Sequence, residues 1–249
     1  MKLIDSFDAF MADTVNLNQS RLDDLDCRVE AIVACLEADE IFGQRIRKYI
    51  PQGSWAQRTI IKPLQGDEFD ADVLLLLKED REWNKTPRIY VEETHRALKR
   101  SSIYSSKLTI KSRCVRITYA NDCHIDVVPH IHLSGWVTDR EVIVNRAANE
   151  FEDVNPDAFT KWMRARDTTM HGGLRKVIRI LKYIRDFKNT FSVPFVILTT
   201  VLGHRVRQGL LADPYPDLPT SLRQLLCDLD DWLQGLPTRP RIDDPGCPQ

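Results

Sequence analysis

Between residues 17 and 49 the chain sets Leu22, Leu25, Val29, Ile32, Val33 and Leu36 at helical spacing, with acidic residues on the other side. That pattern predicts an amphipathic helix leading up to the stretch PQGSWAQRT, residues 51 to 59. After Pro51 the pattern changes. DADVLLLLK is short and continuously apolar behind its acidic start, bounded by QGDE before it and charged residues after it, which predicts a buried strand. VEETHRALKR, residues 91 to 100, is helical again. CVRITYA and CHIDVVPHI are β-rich runs joined by the short polar pair ND, which suits a hairpin.

From about residue 156 the pattern is helical throughout: DAFTKWMRARD, GGLRKVIRILKYIRDFK, SVPFVILTTVLGHRV and LPTSLRQLLCDLDDWLQGL. In the second of these, Leu174, Val177, Ile178, Leu181 and Ile184 form an apolar stripe, while Arg175, Arg179, Lys182 and Asp186 form a charged one. The expected fold class is therefore α/β (α+β), with a mixed β-sheet lobe carrying helices over residues 1–155 and a helical lobe over residues 156–237. Residues 238–249, rich in proline and without apolar periodicity, are expected to be an exposed tail or a truncated connection.

Composition narrows the class without choosing a function. Apolar residues at 43% and charged residues at 29% are ordinary for a soluble globular protein, and no apolar run approaches the roughly 20 residues that span a bilayer. The N-terminus, MKLIDSFDAFMADTVNL, carries acidic residues where a signal peptide needs an apolar segment, so the working protein is expected to begin at Met1 and to be cytoplasmic. Six scattered cysteines show neither a C-x-x-C pair nor a histidine at ligand spacing, which speaks against zinc and against a disulfide framework. With 35 basic and 36 acidic side chains the formal charge is −1, so any site for a polyanion must be local.

The candidate chemistry lies in the carboxylates. Side chains alternate along a strand, so Asp70 and Asp72 share one face while Phe69, Ala71 and Val73 share the other. Two carboxylates beside a core repel each other unless a cation or donor neutralises them, and Mg²⁺ prefers oxygen ligands. Asp126, the single acid in CHIDVVPHI, supplies a third carboxylate if its strand neighbours that of Asp70. Three carboxylates can hold two metal ions for displacement at phosphorus. Upstream, Gly53 permits a close backbone approach, and Ser54 with its neighbouring N–H groups could hold terminal phosphates. Each signal is ordinary alone: D-x-D at a strand edge is commonly a solvated turn, and Gly-Ser is commonly just a turn. His124, His130 and His132 lie on the face of Asp126 and are expected to be structural, because Mg²⁺ selects oxygen.

Taken in order, Gly53-Ser54, Asp70-x-Asp72 and Asp126 resemble the nucleotidyltransferase superfamily of the DNA polymerase β type, a bilobal fold. Within it the chain resembles the cGAS/DncV-like nucleotidyltransferases of bacterial anti-phage (CBASS) defence. FMADTVNLNQSRLDDLDCRVEAI is similar to that family's leading helix, PQGSWAQRT to its phosphate loop, HIDVVPHI to its third-aspartate strand and LRKVIRILKYIRDF to the long helix of its second lobe. The resemblance implies an enzyme that takes nucleoside triphosphates, ATP foremost, expels pyrophosphate and makes a cyclic di- or trinucleotide for a downstream effector. It implies Asp70, Asp72 and Asp126 as catalytic ligands of two Mg²⁺ ions, with Mn²⁺ as a substitute, and Asp126 near the attacking ribose hydroxyl. Gln52, Gly53 and Ser54 would hold the triphosphate and Lys182 would reach it. Ser192 is the serine nearest the family's second triphosphate contact, with Pro194 standing at the matching position. A regulatory partner protein is compatible with this reading, and membrane and zinc are not part of it. The alternatives are a nucleotidyltransferase acting on an RNA end, a protein or a small molecule, and a catalytically silent nucleotide sensor.

Overall fold

The computed structural model describes residues 3–64, 67–135, 138–189, 191–209 and 212–246. In chain order the elements are α1 (Ile4–Phe10), α2 (Gln19–Glu37), β1 (Ile46–Gln52), α3 (Gly53–Ala56), β2 (Phe69–Leu77), α4 (Arg81–Asn84), α5 (Ile89–Arg100), β3 (Leu108–Ile110), β4 (Val115–Tyr119), β5 (Cys123–Leu133), β6 (Arg140–Asn145), β7 (Glu150–Asp153), α6 (Pro156–Thr169), α7 (Gly173–Lys188), α8 (Phe195–Arg205) and α9 (Leu218–Gln234). They fall into two compact units. One comprises Asn18–Trp55 and Gln65–Asn155, the other Met1–Leu17, Ala56–Leu64 and Pro156–Gln249. The change of unit at residue 156 coincides with the change of pattern, but residues 1–17 and 56–64 group with the helices rather than with the strands.

The strand unit is built on a seven-stranded mixed sheet of order β1-β2-β5-β4-β3, with β6 paired to β5 and β7 to β6. Only β2 and β5 run parallel; the other pairs are antiparallel. Odd-numbered positions of β2, β4 and β5 face a closed core: Ala71, Val73, Leu75 and Leu77 meet Val115, Ile117, Ile125, Val127 and Ile131, all buried. This is why the leucine run reads as continuously apolar. The strand lies between β1 and β5, and Leu74 on its other face is also buried. Helix α5 packs against β4 and β5 through Tyr90, Val91, Thr94, Ala97 and Leu98, and α2 packs against α5. Pro129, which has no N–H to give a ladder, sits where β5 passes from its pairing with β4, ending at Val127, to its pairing with β6, starting at His130.

The first expected helix is shorter than its pattern suggested. Asn18 caps α2 by accepting the N–H of Arg21, and the helix buries Leu25, Val29, Ile32, Val33 and Leu36 before it ends at Glu37. The Asp39 carboxylate then accepts the N–H groups of Ile41 and Phe42, and Gly43 passes so close to the Glu37 carbonyl that a Cβ there would lie 2.0 Å from its oxygen. Residues 46–52 are therefore strand, not helix, and Gly53 closes a strand rather than a helix. Pro51 is tolerated because β1 is an edge strand, paired only with β2. The short strands β3 and β7 carry too few residues to show a period, whereas β6, with Val142 and Val144 buried on one face, is a strand the sequence reading does not predict. Gln65 and Gly66 of the expected turn before β2 lie outside the described residues.

In the helical unit, α7 buries Leu174, Val177, Ile178 and Leu181 as its spacing requires, and adds Ile180; Ile184, expected on the same stripe, is exposed. Met163 of α6, Leu198 and Leu202 of α8 and Leu225 of α9 complete this core together with Met11, Val15 and Ile61. Gly203 lets α8 approach α6: a Cβ there would lie 2.3 Å from the Trp162 ring.

Candidate active site

The hairpin β4–β5 turns through Ala120, Asn121 and Asp122. Asn121 holds φ at 61°, a left-handed conformation that asparagine adopts more readily than most residues. That turn fixes a register in which Arg116 stands opposite Asp126. The parallel pairing of β2 with β5 sets Asp126 opposite Asp72, and the antiparallel pairing of β1 with β2 sets Asp72 opposite Gln52. Residues opposite one another in a sheet point to the same face. Gln52, Asp72, Asp126 and Arg116 thus form one polar row across four strands, on the face away from the Val73, Leu75 and Ile125 core. Asp70, two residues before Asp72, lies on the same face.

Environment separates the three acids. Asp126 is buried, with a side chain only 12% exposed, whereas that of Asp70 is 62% exposed. A buried carboxylate must be neutralised. Arg116 does so with a two-pronged contact: Nε donates to Asp126 Oδ1 at 2.7 Å and Nη2 to Oδ2 at 2.8 Å. The same Nη2 lies 3.4 Å from Asp70 Oδ1. Its hydrogen bonds to Asp126 are the main reason the guanidinium is pushed above its already high ordinary pKa. Cys114, on the same face of this hairpin, has its thiol pushed up to about 12, first by burial and then by the Asp126 charge. It is therefore neutral at physiological pH.

Gly53 stands at the rim of this row. Its φ of +58° is left-handed, and a Cβ on it would lie 2.3 Å from Asp72 Oδ2, so the backbone of the Gln52-Gly53-Ser54 turn reaches the carboxylate only because no side chain intervenes. Ser54 Oγ donates to the Asp70 carbonyl at 3.4 Å, tying this turn to β2.

The sequence-derived residues of the strand unit, Gln52, Gly53, Ser54, Asp70, Asp72 and Asp126, are thus brought to one end of one face. Among the described residues, however, no three His, Cys, Asp or Glu side chains gather as a ready cation cluster. Arg116 instead donates to both oxygens of Asp126. The donor set still fits a hard divalent cation, because it consists of carboxylate oxygens, two of the three acids, Asp126 and Asp70, lying against the Arg116 guanidinium. Lys182 and Ser192 belong to the helical unit. Lys182 Nζ donates to the Thr59 carbonyl at 3.1 Å and lies 3.8 Å from the centre of the Phe195 ring, while Ser192 is exposed just before Pro194, the N-cap of α8.

The histidines pair with glutamates, although His124 stands directly opposite Asp70 across β2 and β5. His124 Nε2 lies 2.7 Å from Glu68, His130 Nε2 2.8 Å from Glu141, and His132 pairs with Glu141 at 2.7 Å. Burial pushes the His130 imidazole pKa down, while the bond to Glu141 pushes that of His132 up. The residue that pattern reading missed is Arg116. Its signal was present: in a hairpin closed by residues 120–122, position 116 must face position 126.

The family described as Second Messenger Oligonucleotide or Dinucleotide Synthetase domain matches residues 1–167. A c-di-GMP synthase of Roseivirga ehrenbergii is 38% identical over 155 residues, a match covering 62% of this chain and 41% of the relative, so the chain spans about two fifths of that curated protein. Among solved structures, the Bradyrhizobium diazoefficiens CD-NTase CdnG in complex with GTP superposes with a TM-score of 0.68 at 20% identity, covering 90% of this chain and 74% of that one. Vibrio cholerae DncV cyclic AMP-GMP synthase, in complex with a linear intermediate, superposes with a TM-score of 0.73 at 14% identity, covering 90% of this chain and 77% of that one. At such identities these two structures show the fold that this chain shares with them and nothing finer.

Proposed function

The chain belongs to the Second Messenger Oligonucleotide or Dinucleotide Synthetase domain family, the cGAS/DncV-like nucleotidyltransferases, and from that premise we propose that it joins nucleoside triphosphates into a cyclic di- or trinucleotide with release of pyrophosphate. The observation that carries this reading is the placement of Asp72 directly opposite Asp126 on adjacent strands, with Asp70 on the same face and Gly53 against Asp72.

In this proposal Asp70, Asp72 and Asp126 hold two Mg²⁺ ions, for which Mn²⁺ can substitute. Bound there, the ions would neutralise the charge on the transferring phosphoryl group and its pyrophosphate leaving group. The chain's own part is positioning. Two adjacent strands anchored in a close-packed core hold the carboxylates within the small tolerance such chemistry allows. The turn at Gln52, Gly53 and Ser54 presents backbone N–H groups and a hydroxyl to the triphosphate. Asp126 takes the proton of the attacking ribose hydroxyl, whose oxygen forms a bond to the α-phosphorus as the bond to pyrophosphate breaks. Lys182 and Ser192 are proposed as triphosphate contacts on the strength of the family resemblance.

We extend the proposal to a cytoplasmic second-messenger system of anti-phage defence, using ATP as one substrate, acting on a downstream effector and open to control by a partner protein. No helix among the described residues is long and apolar enough to cross a membrane.

The test is turnover. Purified protein is incubated with labelled ATP, GTP, CTP and UTP and Mg²⁺ or Mn²⁺, then treated with phosphatase. A resistant cyclic product is expected, and it should vanish when Asp70→Asn and Asp72→Asn are combined. Product unchanged in that double variant would overturn the assignment of these acids, and pyrophosphate release without a resistant product would overturn the cyclic product.

A further inference from the structure

We propose that Arg116 is an internal counter-cation that competes with the divalent metal for Asp126 and Asp70, so that the site loads more tightly when its fork is open. The proposal rests on the assignment of those acids as metal ligands. It begins from a cost: Asp126 is a buried carboxylate, and burial of an unpaired charge is costly. Some cation must therefore accompany it in the metal-free protein. Arg116 fills that need with the strongest geometry available to a side chain, two parallel charge-assisted hydrogen bonds that use both oxygens of Asp126. Each oxygen keeps a second lone pair, but a metal ion taking it would stand beside the guanidinium charge, so metal binding is weakened while the fork is closed.

The arrangement is more than a local ion pair. The Nη2 that binds Asp126 Oδ2 also lies 3.4 Å from Asp70 Oδ1, so one guanidinium draws two of the three acids toward itself, much as a metal would. The two acids are held unequally. The Asp70 contact is long and its side chain is mostly exposed, whereas the Asp126 contact is short and buried. Opening should thus begin at Asp70 and be limited by Asp126. Arg116 is a positioning residue in this scheme. It sets the state from which the acids are recruited, and acts through Asp126 and Asp70 rather than on substrate.

Mn²⁺ binding to the nucleotide-free protein, followed by the loss of the free-ion electron paramagnetic resonance signal, reads this competition without turnover. A fork closed in nine of ten molecules would weaken apparent metal affinity about tenfold. Arg116→Met is expected to tighten Mn²⁺ binding by about that factor. Arg116→Lys keeps the charge but cannot grip both oxygens, and is expected to tighten it severalfold. Arg113→Lys, at a surface arginine paired with Glu152, serves as the control and is expected to change nothing. Thermal unfolding without metal checks that each variant folds, and Arg116→Lys keeps the test open if Arg116→Met does not.

Unchanged or weaker binding in both Arg116 variants would overturn the proposal, as expected if the arginine merely aims Asp126. Tightening in Arg116→Met alone would reduce it to a general field effect and also overturn it. If the parent bound no Mn²⁺, or bound it equally after Asp72→Asn with Asp126→Asn, the metal reading itself would fail and this inference with it. Parental binding that those substitutions abolish, with no tightening in the Arg116 variants, would leave the metal reading standing and remove only the competition.

Discussion

Asp72 of β2 and Asp126 of β5 stand directly opposite one another across a parallel strand pair, though over fifty residues separate them in the chain. On each side of this pair the same row continues, to Gln52 on β1 and to Arg116 on β4. The juxtaposition is a property of the sheet and not of any loop. Its precision therefore derives from the core on the opposite face.

The first prediction follows from that row. If the two acids act as one metal site, removing either charge should disable it almost as fully as removing both, because groups acting as a unit are not additive. Asp72→Asn and Asp126→Asn should each lower kcat by about 10²-fold or more, with the double variant little worse. Pyrophosphate release under saturating triphosphate measures this. Independent, multiplying losses would separate the two acids into different roles.

Gly53 offers a second test. Alanine there must adopt a left-handed φ, at a cost of about 1–2 kcal/mol, and must also displace Asp72 Oδ2 from 2.3 Å. Gly53→Ala should lower both thermal stability and turnover. Gly172→Ala, at a glycine with a similar φ of +83° but open space around its Cβ position, should lower stability alone. Equal loss of activity in the two would mean that strain, not contact with Asp72, is what matters at Gly53.

Much of this site was legible in the sequence, for identifiable reasons. The strand alternation of Phe69–Val73 announced which residues share a face, and the buried run behind it announced where that face is anchored. The ND turn carried the register of β4 against β5, and with it the position of Arg116, but only for a reader who counted back from Asp126. What could not be read was the pairing of β2 with β5, since a parallel contact between distant segments leaves no local trace. Nor was the end of α2 legible. Its pattern continues into residues 46–52, where Ile46, Tyr49 and Ile50 suit either period, and the deciding contacts are the Asp39 turn and the approach of Gly43 to Glu37. Assignment of residues 1–17 to the helical unit rests on tertiary packing of Met11 and Val15, which a short amphipathic stretch does not specify.

The core beneath the acids gives a third prediction. Leu75 is fully buried, and its side chain points away from the face of Asp72 and Asp126. Leu75→Ala should destabilise the protein by about 2–5 kcal/mol by leaving a cavity. Well below the lowered melting temperature, kcat should stay within a small factor of the parent, because the row itself is untouched. Chemical denaturation and pyrophosphate release at low temperature measure the two effects. A large loss of kcat in protein that remains folded would show that the cavity is transmitted across the strand to the carboxylates.

The turn that ends α2 should confer an acid-sensitive increment of stability. The Asp39 carboxylate accepts from Arg100 Nε at 2.7 Å and from Nη2 at 2.8 Å, and it also receives the Ile41 and Phe42 N–H groups. The bond to Arg100, at the end of α5, is the main cause that holds its pKa below the usual carboxylate value. A folded-state pKa below the unfolded one means that the unfolded chain takes up the proton first. The stability is therefore complete above the ordinary carboxylate pKa and is lost as pH falls through the lower, folded value. Asp39→Asn keeps an oxygen for the two N–H groups and removes the charge. With Arg100 partly exposed, the difference from the parent should be about 0.5–1 kcal/mol at neutral pH. That difference should shrink as pH drops below about 4, where carboxylates ordinarily protonate. Urea unfolding of parent and variant across this range measures it, and a difference that stays constant into strong acid would show that the Asp39–Arg100 pair does not couple folding to proton binding.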